Sequence, residues 1–177
     1  MKKSLERVSV LPINPELRKR FKSGELMRVW SRRYKKIFDV NDRKLAKSQN
    51  ERHFYEWLAA ILLYQSTGYI SLIEKYQFSK ETRKRAILDK LNRKGLISDD
   101  LLDLMINRKD YGFGRTQCPD LFLYSPDFSD WFFCEVKGPR DRVKEMQKKY
   151  FEKLSRLSRK PILFFEFKNM KEMNRWL

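Results

Sequence analysis

The sequence predicts an α/β fold, because an apolar hairpin is followed by a strand–helix–strand crossover. Residues 118–124 and 131–139 are rich in aromatic and aliphatic side chains, and the Pro, Asp and Ser residues of 125–130 favour a chain reversal between them. A helix is expected over residues 140–158. The apolar run at 161–167 then supplies a further strand, which completes the crossover.

Local signals place the elements before the hairpin. Ser48 and Glu51 fit a capping box, and Gly68 is a typical helix end. Ser98 is a favourable N-cap for a short helix that contains several leucines. In chain order we expect a helix at 49–66, a strand at 69–73, a basic helix at 79–95 and a second helix from Ser98.

Residues 1–47 are predicted to be a basic helical extension. The first 50 residues carry 15 basic and 5 acidic side chains, so most of the positive charge of the chain lies there. One amphipathic helix is indicated by apolar side chains at helical spacing, namely Leu26, Val29, Trp30, Tyr34, Ile37 and Phe38. The sequence leaves two roles open, a basic arm that contacts phosphates or a helix docked on the core.

The overall charge favours a polyanionic partner. Lys and Arg number 40 against 23 Asp and Glu, which gives a net charge of +17 and makes nucleic acid the expected partner. A hydrophobic content of 41% is too high for a disordered basic tail. No apolar run approaches the ~18 residues that a membrane helix needs, and no signal peptide is recognised. We therefore expect a cytoplasmic protein with no membrane partner.

The two cysteines and the single histidine do not predict a zinc site or a disulfide. Strand alternation puts Cys118 on the side of Asp120 and Cys134 on the side opposite Glu135, so the two thiols should point apart. Buried free thiols are the expected state. His53 is interpreted as a packing or surface residue.

Two acids and a lysine form the candidate catalytic group. In the hairpin Asp120 can approach Glu135, and alternation puts Glu135 and Lys137 on the same face. Close carboxylates are typical ligands of Mg²⁺ or Mn²⁺, which activate water and stabilise a phosphoryl transition state. Lys137 could orient or deprotonate that water. The sequence therefore predicts hydrolysis of phosphodiester bonds.

These residues resemble the motifs of the PD-(D/E)xK nucleases. Pro119-Asp120, Glu135-Val136-Lys137-Gly138-Pro139 and Gln147-Lys148-Lys149-Tyr150 are most similar to the VRR-NUC (virus-type replication–repair nuclease) branch. The resemblance implies a restriction-endonuclease-like mixed sheet flanked by helices. It implies a nuclease domain over residues 48–177 that contains a helical insertion at 79–110.

The resemblance also implies roles for individual residues. Asp120, Glu135 and the carbonyl of Val136 would bind the metal, and Lys137 would act on the water. Gln147 and Tyr150 would support the site from the helix that follows. The family uses a further acid from the first helix, for which Glu56 is the better candidate and Glu51 the rival.

Nucleic-acid contacts are expected around this site. The residues expected to bind nucleic acid, chiefly through its phosphates, are Arg115, Arg140, Arg142, Lys144, Lys148 and Tyr150. The favoured activity is a metal-dependent DNA endonuclease specific for branched, flap or four-way-junction DNA. Stand-alone relatives suggest a homodimer.

Three other interpretations stay open. The same chemistry could belong to an antibacterial toxin delivered by a secretion system and neutralised by an immunity protein. A non-catalytic nucleic-acid-binding protein on a nuclease scaffold is the second, although none of the expected acids is missing. An RNA substrate is the third.

Overall fold

The structure is a computed structural model that describes residues 5–42, 44, 53–73, 82–107, 109–114 and 118–169. The described strands are β1 (Leu5–Ile13), β2 (Ile70–Ile73), β3 (Leu121–Tyr124), β4 (Trp131–Lys137) and β5 (Ile162–Asn169). The described helices are α1 (Pro15–Lys22), α2 (Glu25–Arg33), α3 (Phe54–Thr67), α4 (Thr82–Arg93), α5 (Asp99–Ile106) and α6 (Glu145–Ser158).

The five strands form one mixed sheet in the order β1-β5-β4-β3-β2. β3 pairs antiparallel with β2 and β4, whereas β5 pairs parallel with both β4 and β1. The predicted hairpin is therefore β3–β4, and the predicted crossover is β4–α6–β5. The α/β prediction, with a mixed sheet flanked by helices, is confirmed.

Alternating side chains of the strands feed two hydrophobic clusters on opposite faces of the sheet. Leu121, Val136 and Phe165 pack in the cluster that contains the buried residues of α1, α2 and α3. Phe133 and Phe164 pack in the cluster that contains those of α4, α5 and α6. The end of the hairpin thus lies between two helical layers.

Strand β1 was not predicted. It lies in the segment expected to be helical, and it pairs in parallel with β5 from Leu5 opposite Ile162 to Ile13 opposite Asn169. This strand forms an edge of the sheet, and its partner lies at the other end of the chain. No local pattern could indicate such a pairing, because the hydrogen bonds are made to a strand that is distant in sequence.

The described part of the N-terminal extension packs on the core. Phe21 of α1 lies 5.2 Å from Phe54 and 5.5 Å from Trp57 between ring centroids, and Trp30 of α2 joins the same aromatic group. Val29, which was predicted on the buried face, is instead 47% exposed. A helix docked on the core is therefore what the structure shows for α1 and α2. A domain division at residue 47 stays a prediction.

A buried ion pair connects the end of this extension to the rest of the fold. Lys84 Nζ lies 3.1 Å from Asp42 Oδ1 and donates to the carbonyl of Ile73 at 2.6 Å, and both charged side chains are at least 90% buried. Burial raises the pKa of Asp42 and Lys84 opposes that rise. The pair joins the segment after α2 to α4 and to the end of β2.

Two predicted helix ends agree with the structure and one does not. Gly68 ends α3 in a left-handed conformation, and Ser98 caps α5 by accepting from the N–H of Leu101 at 3.2 Å. The helix predicted to begin at residue 140 begins at Glu145. Arg140 has a positive φ of 72°, and Asp141 accepts from the N–H of Gly138, so these residues form a turn.

None of the helices in the described part of the chain is long and apolar enough to span a bilayer.

Candidate active site

The register of the hairpin brings Asp120 and Glu135 together. Leu121 pairs with Cys134 in the antiparallel ladder, so Asp120, which immediately precedes β3, lies opposite Glu135. The main-chain N–H of Asp120 donates to Glu135 Oε2 at 3.2 Å. The N–H of Val136 donates to Asp120 Oδ2 at 2.9 Å. Main-chain atoms therefore hold both carboxyl groups at one end of the hairpin.

Glu135 is the centre of the polar group. Its side chain is 2% exposed, and its Oε1 accepts from Lys137 Nζ at 2.6 Å. Gln147 Nε2 lies 3.5 Å from the same oxygen. Glu135 is thus contacted by the neighbouring strand, by its own strand and by α6. An arrangement of this kind keeps a buried carboxylate satisfied.

The site holds more negative charge than its surroundings stabilise. Burial and the nearby charges of Glu135 and Glu56 raise the pKa of Asp120 well above its usual range. Burial also raises the pKa of Glu135, although Lys137 opposes this. Burial lowers the pKa of Lys137, but Glu135 and Asp120 outweigh it and the net change is upward. In the metal-free protein Lys137 is a cation beside two acids that favour protonation.

Gln147 has two roles at the start of α6. Its Oε1 accepts from the main-chain N–H of Lys144 at 3.2 Å, which caps the helix, and its Nε2 points to Glu135. The amide can do both because it carries an acceptor and a donor on one planar group. This accounts for a glutamine in register with the apolar side chains of the helix.

Glu56 lies in the first turn of α3, close to the acids but less buried. His53 Nδ1 is 3.4 Å from Glu56 Oε1, and the two side chains are 18% and 21% exposed. The charge of Glu56 reaches Asp120, since it helps to raise the pKa of that acid. The rival Glu51 and its capping box with Ser48 lie outside the described residues.

The residues predicted to bind nucleic acid differ in their exposure to solvent. Four of the predicted residues are exposed. They lie between β4 and α6 or on the first turns of α6, and they are Arg140, Arg142, Lys144 and Lys148. Lys148 also pairs with Glu145 at 3.2 Å. Arg115 lies outside the described residues. Arg140 and Arg142 follow Lys137 in the chain, and Lys144 and Lys148 lie at the start of the helix that carries Gln147.

Tyr150 requires a correction. Its side chain is fully buried, and its hydroxyl lies 2.9 Å from Cys118 Sγ and 3.5 Å from the carbonyl of Leu104. A residue without exposed surface cannot contact nucleic acid directly, so Tyr150 supports the packing beneath the site. Cys118 and Cys134 are both buried and neither forms a disulfide, as predicted.

The contact between Tyr55 and Gly138 was not predicted from the sequence. A Cβ on Gly138 would lie 2.6 Å from Tyr55 Cε2 and 3.1 Å from Asp141 Oδ2, so only glycine allows this close approach. The glycine directly after Lys137 was the signal that could have shown it. Tyr55 therefore lies against the turn that follows β4.

The donor set suits a hard divalent cation. Asp120 and Glu135 supply buried carboxylate oxygens in a site that favours protonation, and a bound cation would replace that proton. Within the described ranges, no three His, Cys, Asp or Glu side chains form a group able to hold a metal. Mg²⁺ is commonly held by one or two carboxylates and several waters, so two acids are enough.

Most of the chain matches a known protein family. Residues 49–164 match the family model of the VRR-NUC domain. No curated protein and no solved structure gives a significant match.

Proposed function

This chain belongs to the VRR-NUC family of nucleases, and we propose that it is a divalent-metal-dependent endonuclease that cuts branched DNA. The observation that carries the proposal is the convergence of Asp120, Glu135, Lys137 and Gln147 at the end of the hairpin. Two acids that can hold a divalent cation, a lysine that can act on its water and a supporting amide together suit hydrolysis of a phosphodiester.

Asp120 and Glu135, with the carbonyl of Val136, would hold Mg²⁺ or Mn²⁺. When bound, the ion would lower the pKa of a water molecule and would offset negative charge on the phosphoryl oxygens. The protein holds its ligands in place before the ion arrives, because Asp120 and Glu135 are each fixed by a main-chain N–H. Glu56 is proposed as an outer ligand, acting from α3 through its charge or a water.

Lys137 is proposed to orient the water and to stabilise negative charge. Its raised pKa keeps Nζ protonated in the metal-free protein, so it is a poor general base there. An ammonium 2.6 Å from Glu135 is well placed to donate a hydrogen bond to an oxygen next to that acid. Gln147 would hold Glu135 in position through its Nε2.

The substrate is proposed from charge and from the family. The chain carries a net charge of +17, and exposed Arg140, Arg142, Lys144 and Lys148 lie beside the polar group. These features favour a nucleic-acid backbone. The preference for branched, flap or four-way-junction DNA is inferred from the VRR-NUC family.

The test is cleavage of labelled duplex, flap, splayed-arm and four-way-junction DNA in Mg²⁺, Mn²⁺ or EDTA. Wild-type protein is compared with Asp120→Asn, which removes a carboxylate oxygen with little change in shape. We expect metal-dependent cutting of the branched substrates that is lost in the variant. Binding without cutting in every metal would support a non-catalytic scaffold instead.

A further inference from the structure

Arg18 of the N-terminal extension reaches the edge of the candidate active site. Its guanidinium carbon lies 5.6 Å from the centroid of the Tyr55 ring, and its Nη1 donates to Tyr55 Oη at 3.4 Å. Tyr55 immediately precedes Glu56 in the first turn of α3. A residue outside the family match at 49–164 therefore contacts the rim of the site.

Tyr55 is held firmly in this position. Its ring lies 5.5 Å from Phe167 and 5.2 Å from Phe54 between centroids, and it fits against the Cα of Gly138. Gly138 directly follows Lys137 at the end of β4. Arg18 therefore contacts Tyr55, and Tyr55 contacts the turn that follows Lys137, the lysine that pairs with Glu135.

Arg18 differs from its basic neighbours on α1. Lys19 pairs with Glu16 at 3.3 Å, and Arg20 pairs with Glu25 at 2.6 Å. Arg18 makes no ion pair within the part of the chain that the structure describes, and its side chain is exposed. Its charge is therefore available to an anion, while aromatic packing fixes the direction of the guanidinium.

The hydroxyl of Tyr55 adds a second donor. A hydroxyl that accepts from Arg18 keeps its own proton for another acceptor. Guanidinium and hydroxyl together present donors on the same side of the rim.

We propose that Arg18 and Tyr55 form a phosphate-binding subsite for the nucleic-acid strand, next to the phosphate that is cut. The subsite rests on the proposed nuclease function. In this proposal α1 forms part of the surface that binds the substrate, and the N-terminal extension helps to position it. Arg18 would be a positioning residue that binds a non-reacting phosphate.

The test measures the Kd of labelled four-way-junction DNA over a series of salt concentrations, in the full chain carrying Asp120→Asn to prevent cutting. Arg18→Ala should weaken binding about tenfold. It should also lower the slope of log Kd against log salt by about one, the change expected when one phosphate contact is lost. Arg18→Gln can still bond to Tyr55 Oη but lacks the charge, so it should lower the slope equally. Arg18→Lys should retain the slope.

Arg93 provides the matched control. It is an exposed cation at the end of α4, next to Lys94, which binds the loop at the far end of the hairpin. Arg93→Ala should leave Kd within about twofold and the salt slope unchanged. Equal losses for Arg93→Ala and Arg18→Ala would show a general charge effect and overturn the subsite. An unchanged slope for Arg18→Gln would overturn it as well.

Cleavage separates the two proposals. If wild-type protein cuts the junction and the Arg18 variants bind it as tightly as wild type does, only the subsite proposal is overturned. If the protein never cuts but substitution of Arg18 selectively weakens binding, the nuclease proposal is overturned. The phosphate-binding role of Arg18 and Tyr55 is then retained. If wild-type protein does not bind the junction at all, both proposals fail.

Discussion

Asp120 donates its main-chain N–H to Glu135 Oε2 at 3.2 Å, while its own Oδ2 accepts from the N–H of Val136 at 2.9 Å. Each acid is thus tied to the main chain of the other strand. The carboxyl groups are held together by the backbone of the hairpin, although their charges repel each other. Repulsion between preorganised acids is a cost that a divalent cation removes.

The metal-free protein should be more stable at neutral pH when Asp120 is replaced by Asn. The raised pKa of Asp120 means that the folded state favours the protonated acid, so its stability is full at low pH and falls as pH rises through that pKa. Asparagine stays neutral and avoids this loss. Thermal unfolding in EDTA from about pH 5 to about pH 8 should show a flatter profile and a higher Tm for Asp120→Asn.

Asp110→Asn is the control for that comparison. Asp110 is exposed in the loop after α5, so its replacement should leave the pH profile unchanged. A Tm for Asp120→Asn that is lower than that of wild type at neutral pH, without metal, would contradict the electrostatic description of the site.

Lys137→Met should remove most of the activity while leaving DNA binding nearly intact. The variant keeps a long side chain but loses the ammonium that lies 2.6 Å from Glu135 Oε1. Loss of one preorganised donor at a reacting centre lowers kcat by about a hundredfold to a thousandfold. Single-turnover cleavage gives the rate and fluorescence anisotropy gives the Kd. A normal rate with weakened binding would make Lys137 a phosphate contact instead.

Gly138→Ala should destabilise the fold through a clash with Tyr55. The added Cβ would lie 2.6 Å from Tyr55 Cε2, and such overpacking costs about 1–3 kcal/mol. Tyr55→Ala removes the obstructing ring, so the same glycine substitution should cost less in that background. Urea denaturation of the four proteins measures the coupling. Strictly additive changes in the free energy of unfolding would show that the ring is not the obstacle.

Asp42→Ala should be strongly destabilising, because it leaves Lys84 buried without its acid. Asp42 is 2% exposed, Lys84 is 8% exposed, and loss of one partner from a buried pair costs about 3–5 kcal/mol. Adding Lys84→Met should recover much of the loss, since no charge then stays buried. The free energy of unfolding in urea measures both. A loss below about 1 kcal/mol for Asp42→Ala would show that the extension is only loosely attached.

The hairpin and its acids were predictable because the signals are local. Apolar runs that end at turn residues gave the two strands, and alternation then fixed which face carries Glu135 and Lys137. The register of Leu121 with Cys134 places Asp120 opposite Glu135, in agreement with the expectation that the hairpin brings these two acids close together. The residue roles at this site stay predictions until they are tested by mutation.

Other features depend on contacts between distant residues. The pairing of β1 with β5 and the contact of Arg18 with Tyr55 each join parts of the chain that no periodicity relates. The later start of α6 was not predicted, because it depends on a hydrogen bond that the side chain of Asp141 accepts from the N–H of Gly138. This bond favours a turn over a helix. Helical spacing places Tyr150 on the apolar side of α6, but its contact with the carbonyl of Leu104 on α5 could not be predicted from that spacing.

The most direct test of the central claim is single-turnover cleavage of a labelled four-way junction as Mg²⁺ is added. Wild-type protein is compared with Asp120→Asn and Glu135→Gln, and Asp110→Asn is the control. We predict metal-dependent cutting by wild type and by the control, with a loss of at least about a hundredfold in each active-site variant. Cleavage by either of those two variants within about tenfold of wild type would contradict the assignment of the site.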